Sequence, residues 1–137
     1  MSTDIVVGID GSEDSAIALR WAVEEAELRD SRVRAVLCWS YLGLTGSELG
    51  VGTTEDDARR MLEQTIEDVL GDRSTRVDAV PVNDLPVSGL LDQASDAALM
   101  VVGSRGRGGV KGLVLGSVSR TVVERSPIPV VVVPRPS

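Results

Sequence analysis

With 137 residues, 42% of them apolar and only 2% aromatic, the chain has the length of one ordinary domain and must build its core from aliphatic side chains. A formal net charge of −7 excludes broad electrostatic attraction to nucleic acid or to an anionic membrane surface. The absence of His and the lone Cys38 exclude an internal disulfide, a cysteine-based zinc site and His-dependent acid–base catalysis.

In chain order, residues 4–9 carry the apolar run IVVGI and read as a strand that meets Asp10-Gly11-Ser12, a turn signal with Ser12 as a helix N-cap. The following helix has Glu13 and Asp14 in its first turn, favourable at the positive end of a helix dipole. Its Ala18, Leu19, Ala22 and Ala26 recur at helical spacing, and small residues suit close packing on a sheet. Residues 33–39 read as the second strand, and residues 40–53, rich in Gly, Ser and Thr without periodicity, as a mobile surface loop. Thr53 or Thr54 then caps a helix with Met61, Leu62, Ile66, Val69 and Leu70 on its apolar face. Its first-turn acids Glu55, Asp56 and Asp57 read as helix capping rather than as metal ligands.

Residues 77–82 form a third strand in which Pro81 argues for an edge position, because proline cannot donate a ladder hydrogen bond. A short helix over residues 85–94 leads to a fourth strand over 97–102, which runs into Gly103. After a long glycine-rich loop come a helix over 118–125 and a fifth strand over 128–133 with four consecutive valines. Alternating strands and helices, with strands too apolar to have a wet face, predict a three-layer α/β fold with a parallel sheet and right-handed crossovers. There is no internal repeat or linker, so residues 1–137 are expected to form a single domain. No apolar run approaches the ~18 residues of a membrane span and Met1-Ser2-Thr3-Asp4 lacks signal-peptide character, so the expected location is cytoplasmic.

The chemistry concentrates in GSRGRGGVKGLVLGS: Gly103-Ser104-Arg105-Gly106, nine residues, then Gly116-Ser117. Glycines let backbone amides approach an anion without a side chain in the way. Gly116-Ser117 lies where the next helix begins, so free helical amides and the Ser117 hydroxyl can both donate to a phosphate oxygen. No acidic residue occurs between Asp96 and Glu124, whereas Arg105, Arg107, Lys111 and Arg120 do, a local basic character that suits a small anion. The glycines fit neither GxxxxGK[ST] nor GxGxxG, so the two best-known phosphate loops fail on spacing.

GxxG, nine residues and G[ST] after the fourth strand is a pattern similar to the ATP-binding signature of universal stress proteins. The resemblance extends to VVGIDGSEDS, to AVLCW, to VLGSVSRTVVERS and to the terminal PIPVVVVP, and so covers the whole chain. It implies a five-stranded parallel sheet of order 3-2-1-4-5, the adenine nucleotide alpha hydrolase-like variant of the Rossmann-like folds, with nucleotide across the strands' carboxyl ends. It further implies that Gly103, Gly106, Gly116 and Ser117 hold ribose and phosphates, with Val118 supplying another amide. Ile9 and Asp10 would lie beside them, Asp10 reaching the ribose or a metal, and the backbone around Cys38 would contact adenine.

By its own chemistry Asp10 is either such a ligand or a turn residue ahead of Ser12, and Cys38 reads as a packed, unreactive side chain. Trp21 and Trp39 read as packing residues. Arg105, Arg107 and Lys111 either solubilise the loop or make secondary phosphate contacts. Asp84 stands where the family commonly has glycine; its carboxylate would either repel phosphate or help to hold a divalent cation. The implied function is an ATP-binding regulator in stress adaptation, with AMP or ADP as alternative ligands and Mg²⁺ or Mn²⁺ accompanying the nucleotide. The alternatives are a weak ATPase or other nucleotide-processing enzyme, for which only Asp10, Asp84 and the loop cations could orient water or stabilise the transferring phosphoryl, and a dimeric interaction module with an empty site. A homodimer is expected through the fifth strand, whose valines would otherwise form an exposed apolar edge.

Overall fold

The computed structural model describes residues 2–39, 54–105 and 115–135. The expected loop over 40–53, and Gly106, Arg107 and Lys111 within the glycine-rich segment, lie outside them. The elements alternate as β1 (Ile5–Ile9), α1 (Glu13–Arg29), β2 (Val33–Cys38), α2 (Glu55–Leu70), β3 (Val77–Val82), α3 (Pro86–Ala94), β4 (Leu99–Gly103), α4 (Ser117–Arg125) and β5 (Val130–Val133). All four strand pairings are parallel, and the order is β3-β2-β1-β4-β5. This is the three-layer α/β arrangement and strand order expected from the sequence.

Two apolar clusters flank the sheet. Ile5, Val7 and Ile9 of β1 face one way, against Ala18, Leu19, Ala22, Val23 and Ala26 of α1 and Leu62 and Ile66 of α2. Val6 faces the other, with Val36, Met100 and Val102, against Leu90 and Ala94 of α3 and Val122 of α4. The alternation within one strand follows from the two-residue pleat. Gly8 serves the second face by omission: a Cβ there would sit 3.3 Å from the methyl carbons of Leu90.

The helix starts follow their capping chemistry. Ser12 Oγ accepts the Ser15 amide, and Thr54 and Asp57 form a reciprocal capping box. Asp57 is thus a cap, as its sequence position suggested. A 3-10 turn at Gly71–Arg76, which the sequence reading does not contain, joins α2 to β3. The fourth and fifth strands begin two residues later than expected. The Ala97 amide is spent on Ala94 in the turn after α3, and Ser126 Oγ exchanges hydrogen bonds with Ile128 before β5 can pair.

The two sheet edges are built differently. In β3 the Val82 carbonyl accepts from Trp39, so residues 78, 80 and 82 point their backbone groups at β2 while Ala79 and Pro81 point outward. Pro81 removes one outward donor, and Arg59 of α2 donates to the Ala79 carbonyl at 3.2 Å. In β5 the Pro129 and Val133 carbonyls accept from Met100 and Ser104, which turns Val130 and Val132 outward. No described residue takes up their backbone groups on that side.

Arginine pairs tie the sheet's amino-terminal rim together. Arg34, with a side chain only 15% exposed, binds both Asp4 and Asp96, and Arg32 binds Asp78. The hydrogen bond from Arg32 holds the Asp78 carboxyl below its ordinary range, and that from Arg34 does the same for Asp96. Depressed folded-state values mean that these carboxylates stabilise the fold above the unfolded value near ~3.9 and lose that contribution as pH falls through the folded value. Urea unfolding midpoints should therefore fall below about pH 4, modestly, because both carboxylates are exposed and their pairs are screened by solvent. An Asp78→Asn/Asp96→Asn variant should show a shallower acid limb, and an unchanged limb would remove these pairs from the account.

Candidate functional site

The expected site residues converge on the carboxyl-terminal rim of the sheet. Ile9 closes β1, 5% exposed, Cys38 closes β2 and Gly103 closes β4. Asp10 follows β1 directly, and Gly116, Ser117 and Val118 form the N-cap and first two residues of α4. Gly106 lies outside the described residues.

Asp10 builds the first turn. Its Oδ1 accepts the Ser12 amide at 2.9 Å and the Ser12 hydroxyl, while Gly11 takes φ +83°, a left-handed conformation that favours glycine. The same carboxylate stands at the end of β1, on the rim where α1 begins. Among the described residues no group of three carboxylate or thiol side chains could hold a metal unaided.

The ends of the glycine-rich segment are stitched together. The Gly116 amide donates to the Ser104 carbonyl at 2.7 Å, and Ser119 Oγ donates to the Gly103 carbonyl at 2.6 Å. α4 is thereby anchored with its amino terminus at the rim. Among the described residues it has no side-chain cap, and its first turn has no acidic residue, so no described side chain competes with an anion for its leading amides. Ser117 is exposed there and Val118 half-buried. Gly116 has φ −75°, which any residue adopts; its place is set by burial and by its hydrogen bond to Ser104.

Gly103 has a packing reason for being glycine. A Cβ on it would stand 2.8–2.9 Å from the carbonyl group and Cβ of Asp14, so the close approach of α1 to β4 requires the bare backbone. Asp14, read from sequence as a dipole-satisfying acid, is in fact 1% exposed. Its Oδ2 accepts the Arg105 amide at 3.1 Å and lies 3.8 Å from Arg105 Nε, and its Oδ1 receives Arg135 at 2.6 Å. Sequence reasoning missed this carboxylate, although a signal was present: residues 14, 18, 22 and 26 lie on one helical stripe, and three of them are buried alanines.

Cys38 belongs to the second apolar cluster, 6% exposed, with its Sγ directed at the Pro86 carbonyl. Gly89 of α3 packs so closely that a Cβ there would come within 2.5 Å of that sulfur. Burial, with Asp84 adding repulsion, pushes the thiol up to about 12. Asp84 spends one oxygen on the Leu85 amide at 2.7 Å, just before α3. Trp21 and Trp39 both pack against the first cluster, the role expected of them.

The universal stress protein family model matches residues 1–134. The chain belongs to the universal stress protein family. A universal stress protein of Mycobacterium bovis is 39% identical over 137 residues, covering 93% of this chain and 43% of the relative. The chain thus spans less than half the length of the curated relatives it matches. Among solved structures, a universal stress protein in complex with cAMP is 26% identical with a TM-score of 0.71, covering 96% of this chain and 95% of the other. One from Archaeoglobus fulgidus in complex with dAMP is 27% identical with a TM-score of 0.65, covering 95% and 96%. Both neighbours thus hold an adenine mononucleotide on this fold. Among the described residues no helix is long and apolar enough to cross a membrane.

The environment of Cys38 gives a direct test. At pH 8 the native thiol should resist iodoacetamide and react only on unfolding, since little thiolate exists so far below its raised value. Rapid alkylation of the native protein would show that Cys38 is not packed as described.

Proposed function

We propose that this universal stress protein binds an adenine nucleotide at the carboxyl-terminal rim of its sheet and acts as a nucleotide-responsive regulator in stress adaptation. ATP accompanied by Mg²⁺ or Mn²⁺ is the proposed ligand. The observation that carries this reading is the amino terminus of α4, acid-free and without a side-chain cap among the described residues, held against the end of β4 by the Gly116–Ser104 and Ser119–Gly103 hydrogen bonds. Ser117 and Val118 would take a phosphate there, Asp10 the ribose or the ion, and the backbone at Cys38 the base. The cAMP and dAMP complexes of related proteins support the adenine class and favour a nucleoside monophosphate as the second reading.

Mass spectrometry of small molecules released on denaturation should find adenine nucleotide, and calorimetry should show ATP binding to the nucleotide-free protein. Ser117→Ala removes an exposed hydroxyl and should fold normally. Loss of a charge-assisted hydrogen bond, about 1.5–3 kcal/mol, should weaken binding more than tenfold. Unchanged affinity in Ser117→Ala, with the melting temperature retained, would remove the Ser117 hydroxyl from the site.

We further propose a homodimer in which β5 pairs with its symmetry mate. The support is the contrast between the two edges: β3 is closed by Pro81 and Arg59, whereas Val130 and Val132 present outward backbone groups. The discriminating variant is Val132→Pro, which deletes an outward donor and leaves the β4 ladder intact; replacing Val133 would instead disturb a core residue that is 8% exposed. Light scattering should report a dimer that becomes monomeric in Val132→Pro. A wild-type monomer at micromolar concentration would rule the interface out.

A further inference from the structure

Asp14 is the most deeply buried charged side chain among the described residues, and neither capping nor the proposed ligand contacts account for it. Its neighbour Glu13, in the same first helical turn, is exposed, as a carboxylate that merely answers the helix dipole would be. Removing a carboxylate from water is costly unless it is paired and hydrogen-bonded, so the partners of Asp14 define its task. They are the Arg105 amide and guanidinium, where the glycine-rich segment leaves β4, and Arg135, two residues beyond β5. The main chain of Asp14 also rests on Gly103, so side chain and backbone grip the same root of the segment from one side.

We propose that Asp14 is a positioning residue for the nucleotide site: it fixes the first residues of the glycine-rich segment to α1 and, through Arg135, to the end of β5. This rests on the nucleotide-binding reading above. Among the described residues, two arginines share this one carboxylate. In this arrangement Asp14 touches no ligand. It acts through Arg105, whose amide it orients and whose guanidinium it keeps beside the segment's entrance.

The test uses the full chain and ATP with Mg²⁺. Calorimetry is run on wild type, Asp14→Ala, Arg135→Gln and, as a control for simple loss of stability, Val23→Ala, a buried α1 position packed in the first cluster. Hydrogen exchange of the peptide containing Arg105 is followed in the same four proteins without nucleotide. Asp14→Ala should weaken ATP binding at least tenfold and accelerate exchange at Arg105, whereas Val23→Ala should lower the melting temperature and change neither. Arg135→Gln, at an exposed position outside the sheet, should weaken binding severalfold and keeps the test decisive if Asp14→Ala does not fold. Wild-type affinity in Asp14→Ala or in Arg135→Gln, or equal losses in Asp14→Ala and Val23→Ala, would overturn the positioning role while leaving the nucleotide site standing. Failure of the wild type to bind ATP or AMP would overturn both.

Discussion

Running all five strands in one direction sends every strand's carboxyl end, and the start of each helix that follows one, to the same rim. Aligned peptide dipoles therefore bring several partial positive charges to one side of a protein whose net charge is −7. The molecule answers most of them internally. At α1, Ser12 caps and Asp14 lies buried in the first turn; at α2, Thr54 and Asp57 close a capping box; at α3, Pro86 removes a donor and Asp84 takes the Leu85 amide. Only α4 among the described helices begins without a carboxylate in or just before its first turn. An anion at that helix would complete a pattern that the other three complete for themselves.

The neutralised helix starts also bear on Asp84, the carboxylate that stands between β3 and α3. Its Oδ1 is committed to the backbone ahead of α3, and its charge helps to raise Cys38 at the neighbouring strand end. Its position beside β2 and β3 also sets it on the opposite side of β1 from α4.

The sheet was legible because its signals are local and redundant. Apolar runs of five or six residues, each followed by a turn or cap, recur often enough that the parallel architecture follows from pattern alone, and Pro81 located one edge. The strand order came instead from a resemblance, since periodicity carries no information about which strands are neighbours. What escaped were interactions between residues far apart in the chain. Asp14 meets Arg105 and Arg135 across 91 and 121 positions, and nothing within a helical turn distinguishes it from Glu13 except its place on the alanine stripe. Gly103 shows the same difficulty from the other side: read as a residue kept bare for a ligand, it is also bare because α1 lies on it.

That double demand on Gly103 explains how a rim of small, weakly directional groups can be held in place at all. A phosphate site made of backbone amides has no rigid side chains of its own, and glycines lower the cost of alternative conformations. Precision then has to come from what the segment is fastened to. Here the exit from β4 is pinned by Asp14 at Arg105, and the return into α4 is pinned at Ser104 by Gly116 and at Gly103 by Ser119. Three consecutive residues, Gly103 to Arg105, thus carry fastenings to two helices, and one of those helices is linked by Arg135 to the sheet edge.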